Sequence, residues 1–464
     1  MTLASQIAER IHAFEAGQLS PTARDWVRAA FIDTIGCTLA GMAEEAPHLL
    51  MRAIGAGASP GPASIWSTPT RTHVLDAILV NGTASHALDY DDVAGVLGGH
   101  PSAMLVPPLI ALAESQGSSG QDVTVAYVVG YETMCRIARG VHFHHYDKGW
   151  HPTATLGIFG TVAAAARLLH LDIPATATAL GLAASLASGL KANFGTMTKP
   201  LHVGHAARNG VFAALMVQAG YTANPGTFEH KQGFLDVFNG PGTYDTARML
   251  GEWFAPPDCE GPGDPGLKPY PCCGSTHSSV AVTIGLARSH DLRAADVEHI
   301  EVMPHPRRLP HTDNPNPTTP LAAKFSVQYC VARALNDRAV TLGHFEGDAQ
   351  NAPAIRDLMA RVTARPHPDM APDSPLQWGT EVVITTKSGR RIGRRLDDYL
   401  SRGPAGNPMT REELWTKFED CARRSLPVSS LSVSAIAPLF EALGCIDTLP
   451  RITDLTPLLA PPSA

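Results

Sequence analysis

Charged side chains make up only 17% of the 464 residues and aromatic ones only 6%, so the interior has to be built mostly from Ala, Leu, Val and Ile. That composition favours closely packed helices. No uninterrupted apolar run approaches the roughly 18 residues a membrane helix needs, and no membrane partner is expected. The net charge is a mild −7 with no Lys/Arg-rich block, which gives no reason to expect a nucleic-acid partner. Eight cysteines contain no C-x-x-C pair, and the adjacent Cys272 and Cys273 make a poor zinc knuckle; reduced, buried thiols are expected. Phosphate-cradling G-x-x-x-x-G-K-[ST], dinucleotide G-x-G-x-x-G, the G-x-S-x-G elbow and the H-E-x-x-H zinc helix are all missing. If the chain is an enzyme, ordinary side chains carry its chemistry.

What is present is mainly helical. The N-terminal "MTLASQIAERIHAF" reads as an amphipathic helix rather than a signal peptide, and a cytoplasmic location is expected. Stretches 153–170, 175–191 and 204–220 carry helical apolar spacing rich in Ala and Gly. Residues 255–271 then hold nine Pro or Gly among 17, too many for a helix or a central strand. Beyond them, 297–305 reads as a strand, 381–396 as a hairpin turning at Ser388-Gly389, and 322–335 and 410–424 as helices. The expected fold is mainly α: a large all-helical domain (1–266 and, on return, 401–464) into which a smaller α+β lid domain (267–400) is inserted.

Five polar clusters interrupt the apolar pattern. "HALDYDDVAGVLGGHPS" carries Asp89, Asp91, Asp92 and His100, enough carboxylate for a divalent cation or for one Asp orienting one His. "VHFHHYDKGWHP" holds His142, His144, His145 and His151, of which His151 stands at an element end facing inward and the other three read as loop residues. "NFGTMTKPLHVGHAARNG" sets Lys199 beside a helix start, where an ammonium and unpaired N–H groups together suit a carboxylate or a developing enolate. Lys268 and His277 follow in "LKPYPCCGSTHSSV", and Tyr329 sits on a helix that otherwise looks like core.

In order and wording these segments resemble the MmgE/PrpD family, over nearly the whole chain. "GWHP" is more like the cis-aconitate decarboxylase and iminodisuccinate epimerase branches than the 2-methylcitrate dehydratase branch. The resemblance implies a homodimer with no required cofactor or metal, acting on a small di- or tricarboxylate. It also implies site residues: Asp89, His100, His151, Lys199 and His277 as catalytic, Lys268 and Tyr329 as substrate-binding. Tyr146 is added as the neighbour that would permit epimerisation. The function expected is a cofactor-independent lyase, a decarboxylase or dehydratase working through proton abstraction α to a carboxylate, with an epimerase as the alternative. Two further alternatives are a catalytically silent ligand-binding relative and a metal-dependent hydrolase built from Asp89–Asp92 and His142–His145.

Overall fold

The computed structural model describes all residues except 375, 377, 398–401, 427–430 and 461–464. Two compact units emerge. The larger comprises Met1–Asn193, Met197–Leu267 and Ser401–Ala464; the smaller comprises Lys268–Leu400 with Phe194–Thr196. The expected return point at 400/401 lies outside the described residues.

The larger unit is a stack of helices with locally encoded starts. Ser20 caps Pro21–Gly41, Ser119 closes a capping box on Gly120–Val141, and Thr410 does the same for Arg411–Ser425. Two-residue ribbons, Ala63–Ser64 with Arg71–Thr72 and Val93–Ala94 with Pro265–Gly266, are the strands described in it. At the core lie Pro101–Gln116, Gly120–Val141 and Gly157–Leu168, whose buried faces are largely Ala, Leu and Val. Among the described residues no helix is long and apolar enough to cross a membrane.

One helix crossing sets the position of two polar side chains. Val74–His86 packs on Thr198–Gln218 where Gly82 meets Gly204. A Cβ on Gly82 would come within 2.9 Å of the Gly204 Cα, and one on Gly204 within 2.3 Å of the Leu79 carbonyl oxygen. Only glycine allows this approach, and it brings the last residue of one helix, His86, to the first turn of the other, Lys199. We predict that Gly204→Ala forces the helices apart, costs about 1–3 kcal/mol in a denaturation midpoint, and lowers activity in the same protein. A variant with wild-type stability and activity would contradict this reading of the crossing.

The helix expected over 175–191 is shorter, Ile173–Ala184. The chain leaves it through Gly189 at φ +134°, and the Gly189 carbonyl accepts the His151 N–H at 3.0 Å. The end of that helix therefore supports a candidate site residue.

In the smaller unit a four-stranded sheet runs in the order Val362–Ala364, Val297–Pro304, Thr380–Thr386, Arg391–Leu396; the first pair is parallel and the others antiparallel. Alternating burial along Thr380–Thr386 marks one covered face. Helices Gly274–Ser289 and Val327–Asp337 pack with this sheet. The helical spacing over 322–335 is broken at 324–326, where Ser326 starts a fresh helix by accepting the Tyr329 N–H at 3.1 Å.

Candidate active site

The helix ending at His86 runs into the turn carrying Asp89, Tyr90, Asp91 and Asp92. Asp89 holds a left-handed backbone, φ +53°, which Asp and Asn tolerate better than other side chains. Two anchors fix the turn. Asp92 accepts from the Ser102 N–H (3.0 Å) and hydroxyl (2.6 Å), tying the turn to the start of Pro101–Gln116. Burial pushes its carboxyl well above the usual range, so it serves as a structural group. Lys417 donates to the Tyr90 carbonyl at 2.8 Å and lies 2.6 Å from the buried Asp33 carboxylate. A residue from the C-terminal segment thus holds the turn from behind.

Asp89 and Asp91, so oriented, enter a compact buried network. Lys199 Nζ is 2.8 Å from Asp89 Oδ1 and 2.8 Å from His86 Nε2. His86 Nδ1 lies 2.9 Å from both oxygens of Asp91. His100 has Nδ1 3.3 Å from Asp91 and Nε2 3.6 Å from Asp89. Burial, then the Lys199 charge, lower the His86 pKa to about 3, although Asp91 pulls the other way; the imidazole is neutral. Burial alone would raise Asp91, but the imidazoles of His86 and His100 outweigh it and hold the carboxyl well below its ordinary range. His86 was not among the expected site residues. Its signal in the sequence is an imidazole at the last helical position, five residues before an aspartate.

His100 and His151 share one local design: each precedes a proline that opens a helix, so the backbone ends at the imidazole. The Thr153 hydroxyl receives the His100 N–H at 3.2 Å, linking the two helix starts. The ring of His151 is centred 5.9 Å from that of His86, and its Nδ1 is 3.2 Å from Nδ1 of His202. Burial first, and Lys199 second, push His151 well down and His202 to about 4. The structure therefore gathers Asp89, His100, His151 and Lys199 and adds His86, Asp91 and His202.

Other expectations change. His142 and His145 are not solvated loop residues. His142 Nε2 bonds the Leu97 carbonyl at 2.6 Å; His145 Nε2 bonds the Thr155 hydroxyl at 2.8 Å and packs near Trp150 and Phe238. Only His144 of the three is exposed. Tyr146 is engaged by Lys191, whose ammonium lies 3.4 Å above its ring and donates to its carbonyl. Within the smaller unit, Lys268 is buried, and His277 Nε2 lies 3.1 Å from the Cys272 carbonyl, which leaves Nδ1 as the acceptor nitrogen. Tyr329, expected to line a pocket, is fully buried in that unit's core; its hydroxyl donates to the His344 carbonyl and accepts from Arg333 Nε at 3.0 Å. Packing explains it.

Acid should undo this arrangement. For His86 and His145 the folded pKa, about 3 in each case chiefly through burial, lies below the unfolded value near 6.5. Below pH 6.5 the unfolded chain takes up protons that the folded one does not. Their contribution is complete above about pH 6.5 and falls away as the pH drops toward 3. At pH 5 each costs about 2 kcal/mol. Urea midpoints at pH 7.5 and pH 5 measure the loss, and equal midpoints would refute it.

The cation reading also changes. Asp92, His142 and His145 are bonded elsewhere, so the proposed hydrolase ligands do not assemble. Ligand atoms of His86, Asp89, Asp91 and His100 do converge within 4.8 Å of one another. The ammonium of Lys199, bonded to two of them, already supplies positive charge there. Chemically, this is a cation flanked by imidazoles and ionised carboxylate, suited to binding a carboxylate and moving a proton at carbon.

The comparisons agree with that chemistry. The chain is 28% identical to the human cis-aconitate decarboxylase, over 100% of this chain and 95% of the relative. It is 26% identical to the Aspergillus terreus enzyme of the same name, over 92% of this chain and 89% of the relative. Residues 5–247 match the MmgE/PrpD N-terminal domain and residues 270–437 the MmgE/PrpD C-terminal domain. With more than half its length in the first match alone, the chain belongs to the MmgE/PrpD family.

Proposed function

We propose that this protein is a cofactor-independent lyase that decarboxylates a small unsaturated tricarboxylate of the cis-aconitate type. The observation that carries the reading is the buried Lys199 network, in a chain matched end to end by cis-aconitate decarboxylases. Loss of CO2 from the CH2 carboxylate of such a substrate leaves an allylic carbanion conjugated with a remaining carboxylate. Ammonium charge stabilises that carboxylate as electron density moves onto it, and an imidazolium delivers the proton that completes the product. The first step releases CO2, so the proton moves inward, opposite to the abstraction that a dehydratase or epimerase needs.

Lys199 is assigned to carboxylate and carbanion stabilisation, Asp89 to holding Lys199, His100, beside the ionised Asp91, to proton delivery, and His151, kept neutral by burial, to hydrogen-bonding the substrate carboxylate. Lys268 and His277 are assigned on the resemblance to carboxylate binding and proton transfer. A homodimer in the cytoplasm is the setting that resemblance implies. Tyr146, with the Lys191 ammonium over its ring, keeps its expected role only under the epimerase alternative. Incubating the purified protein with cis-aconitate, 2-methylcitrate and iminodisuccinate tests the reading. CO2 from the first alone supports it; dehydration of the second or inversion of the third, without CO2 release, replaces it.

A further inference from the structure

We propose that Asp91 and His86 are positioning residues: Asp91 takes the Nδ1–H of His86, so that His86 Nε2 carries the lone pair that fixes Lys199. The inference rests on the proposed function for its kinetic consequence but not for its structural content.

The geometry carries it. One buried carboxylate stands 2.9 Å from His86 Nδ1 and 3.3 Å from His100 Nδ1, and the two rings, 4.4 Å apart, meet edge to face. A carboxylate accepting at 2.9 Å selects the N–H form at His86 Nδ1, whereas His100 Nδ1 meets Asp91 only as a charge contact at 3.3 Å. On His86 the lone pair is then on Nε2, where Lys199 Nζ stands at 2.8 Å; an ammonium can only donate, so the tautomer that Asp91 selects is the one that Lys199 needs. Asp89 on its other side completes a two-point hold on the ammonium. His100 stands between two carboxylates, Nδ1 3.3 Å from Asp91 and Nε2 3.6 Å from Asp89, and the ionised Asp91 stabilises an imidazolium there. Neither Asp91 nor His86 has to touch substrate for this.

The alternative is that Asp91 only fills a buried corner. Asp91→Asn separates the two, because an amide keeps the shape but can donate to a ring nitrogen and select the opposite tautomer. In full-length protein labelled with [15N]histidine, with His86 assigned through His86→Gln, the wild-type His86 ring should show a protonated Nδ1 and an unprotonated Nε2. Asp91→Asn should move that ring to the Nε2–H form. On cis-aconitate it should lower kcat by about 10²–10⁴-fold with a much smaller change in KM. A wild-type His86 ring protonated at Nε2, or an Asp91→Asn protein with unchanged kcat, would overturn the proposal. If wild-type protein turns over none of the polycarboxylates, the proposed function fails, whereas the tautomers still decide this inference. They are read in wild-type protein even if the variant does not fold.

Discussion

Lys199→Met is expected to lower kcat/KM on cis-aconitate by about 10²–10³-fold or more, the scale seen when a single preorganised electrostatic group is removed from an active site. Methionine keeps the length of the side chain and loses the charge. The effect has two parts. Losing the ammonium removes the charge proposed to stabilise the carbanion and its carboxylate. It also leaves Asp89, 3% exposed, without its 2.8 Å partner, and breaking a buried pair from one side costs about 3–5 kcal/mol. The parts can be told apart. Lys199→Met combined with Asp89→Asn removes both charges, and Asn tolerates the φ of +53°. The double variant should regain much of the stability and none of the activity. If it regained activity, Lys199 would be structural.

Lys417→Met should be nearly as damaging, through packing and without contact to substrate. Lys417 and Asp33 are both buried, and the same nitrogen holds the Tyr90 carbonyl between Asp89 and Asp91. Burial alone would lower the Lys417 pKa; the charge of Asp33 reverses that and raises it, so the amine stays ionised. Removing it takes the 2.6 Å cation from the buried Asp33, about 3–5 kcal/mol destabilising, and releases the turn that aims both carboxylates. A lower denaturation midpoint and a lower kcat are expected together. Adding Asp33→Asn should restore the midpoint further than the kcat, since the hold on Tyr90 is still missing. A Lys417→Met enzyme of normal stability and kcat would show that the turn stands without it.

Much of this was legible in the sequence for physical reasons. Ala-rich helical spacing, capping residues and the Pro/Gly segment at 255–271 are local signals, and local signals survive without tertiary context. His100, His151 and Lys199 stand out because each directly precedes a proline in apolar surroundings, and Asp89 because it opens a run of three carboxylates. Burial and partnership were not legible. Nothing in its own stretch marks His86 as a partner of Lys199, and only the fold sets its ring between Asp91 and Lys199. His142 and His145 looked solvated because nothing in their own stretch names Leu97 or Thr155 as partners. Tyr329 followed the resemblance toward a pocket, whereas its hydroxyl is held by His344 and Arg333. The three aspartates of the turn read alike, and only the tie to Ser102 separates Asp92 from the two that join the network.

The proposed decarboxylation replaces CO2 by a proton on an unsaturated tricarboxylate. Wild-type protein incubated with cis-aconitate in D2O, with the product analysed by mass spectrometry and NMR, tests it directly. One CO2 lost per turnover is predicted, with one deuterium in the product at the carbon beside a retained carboxylate. Unchanged cis-aconitate, or deuterium exchanged into substrate without loss of CO2, would contradict it.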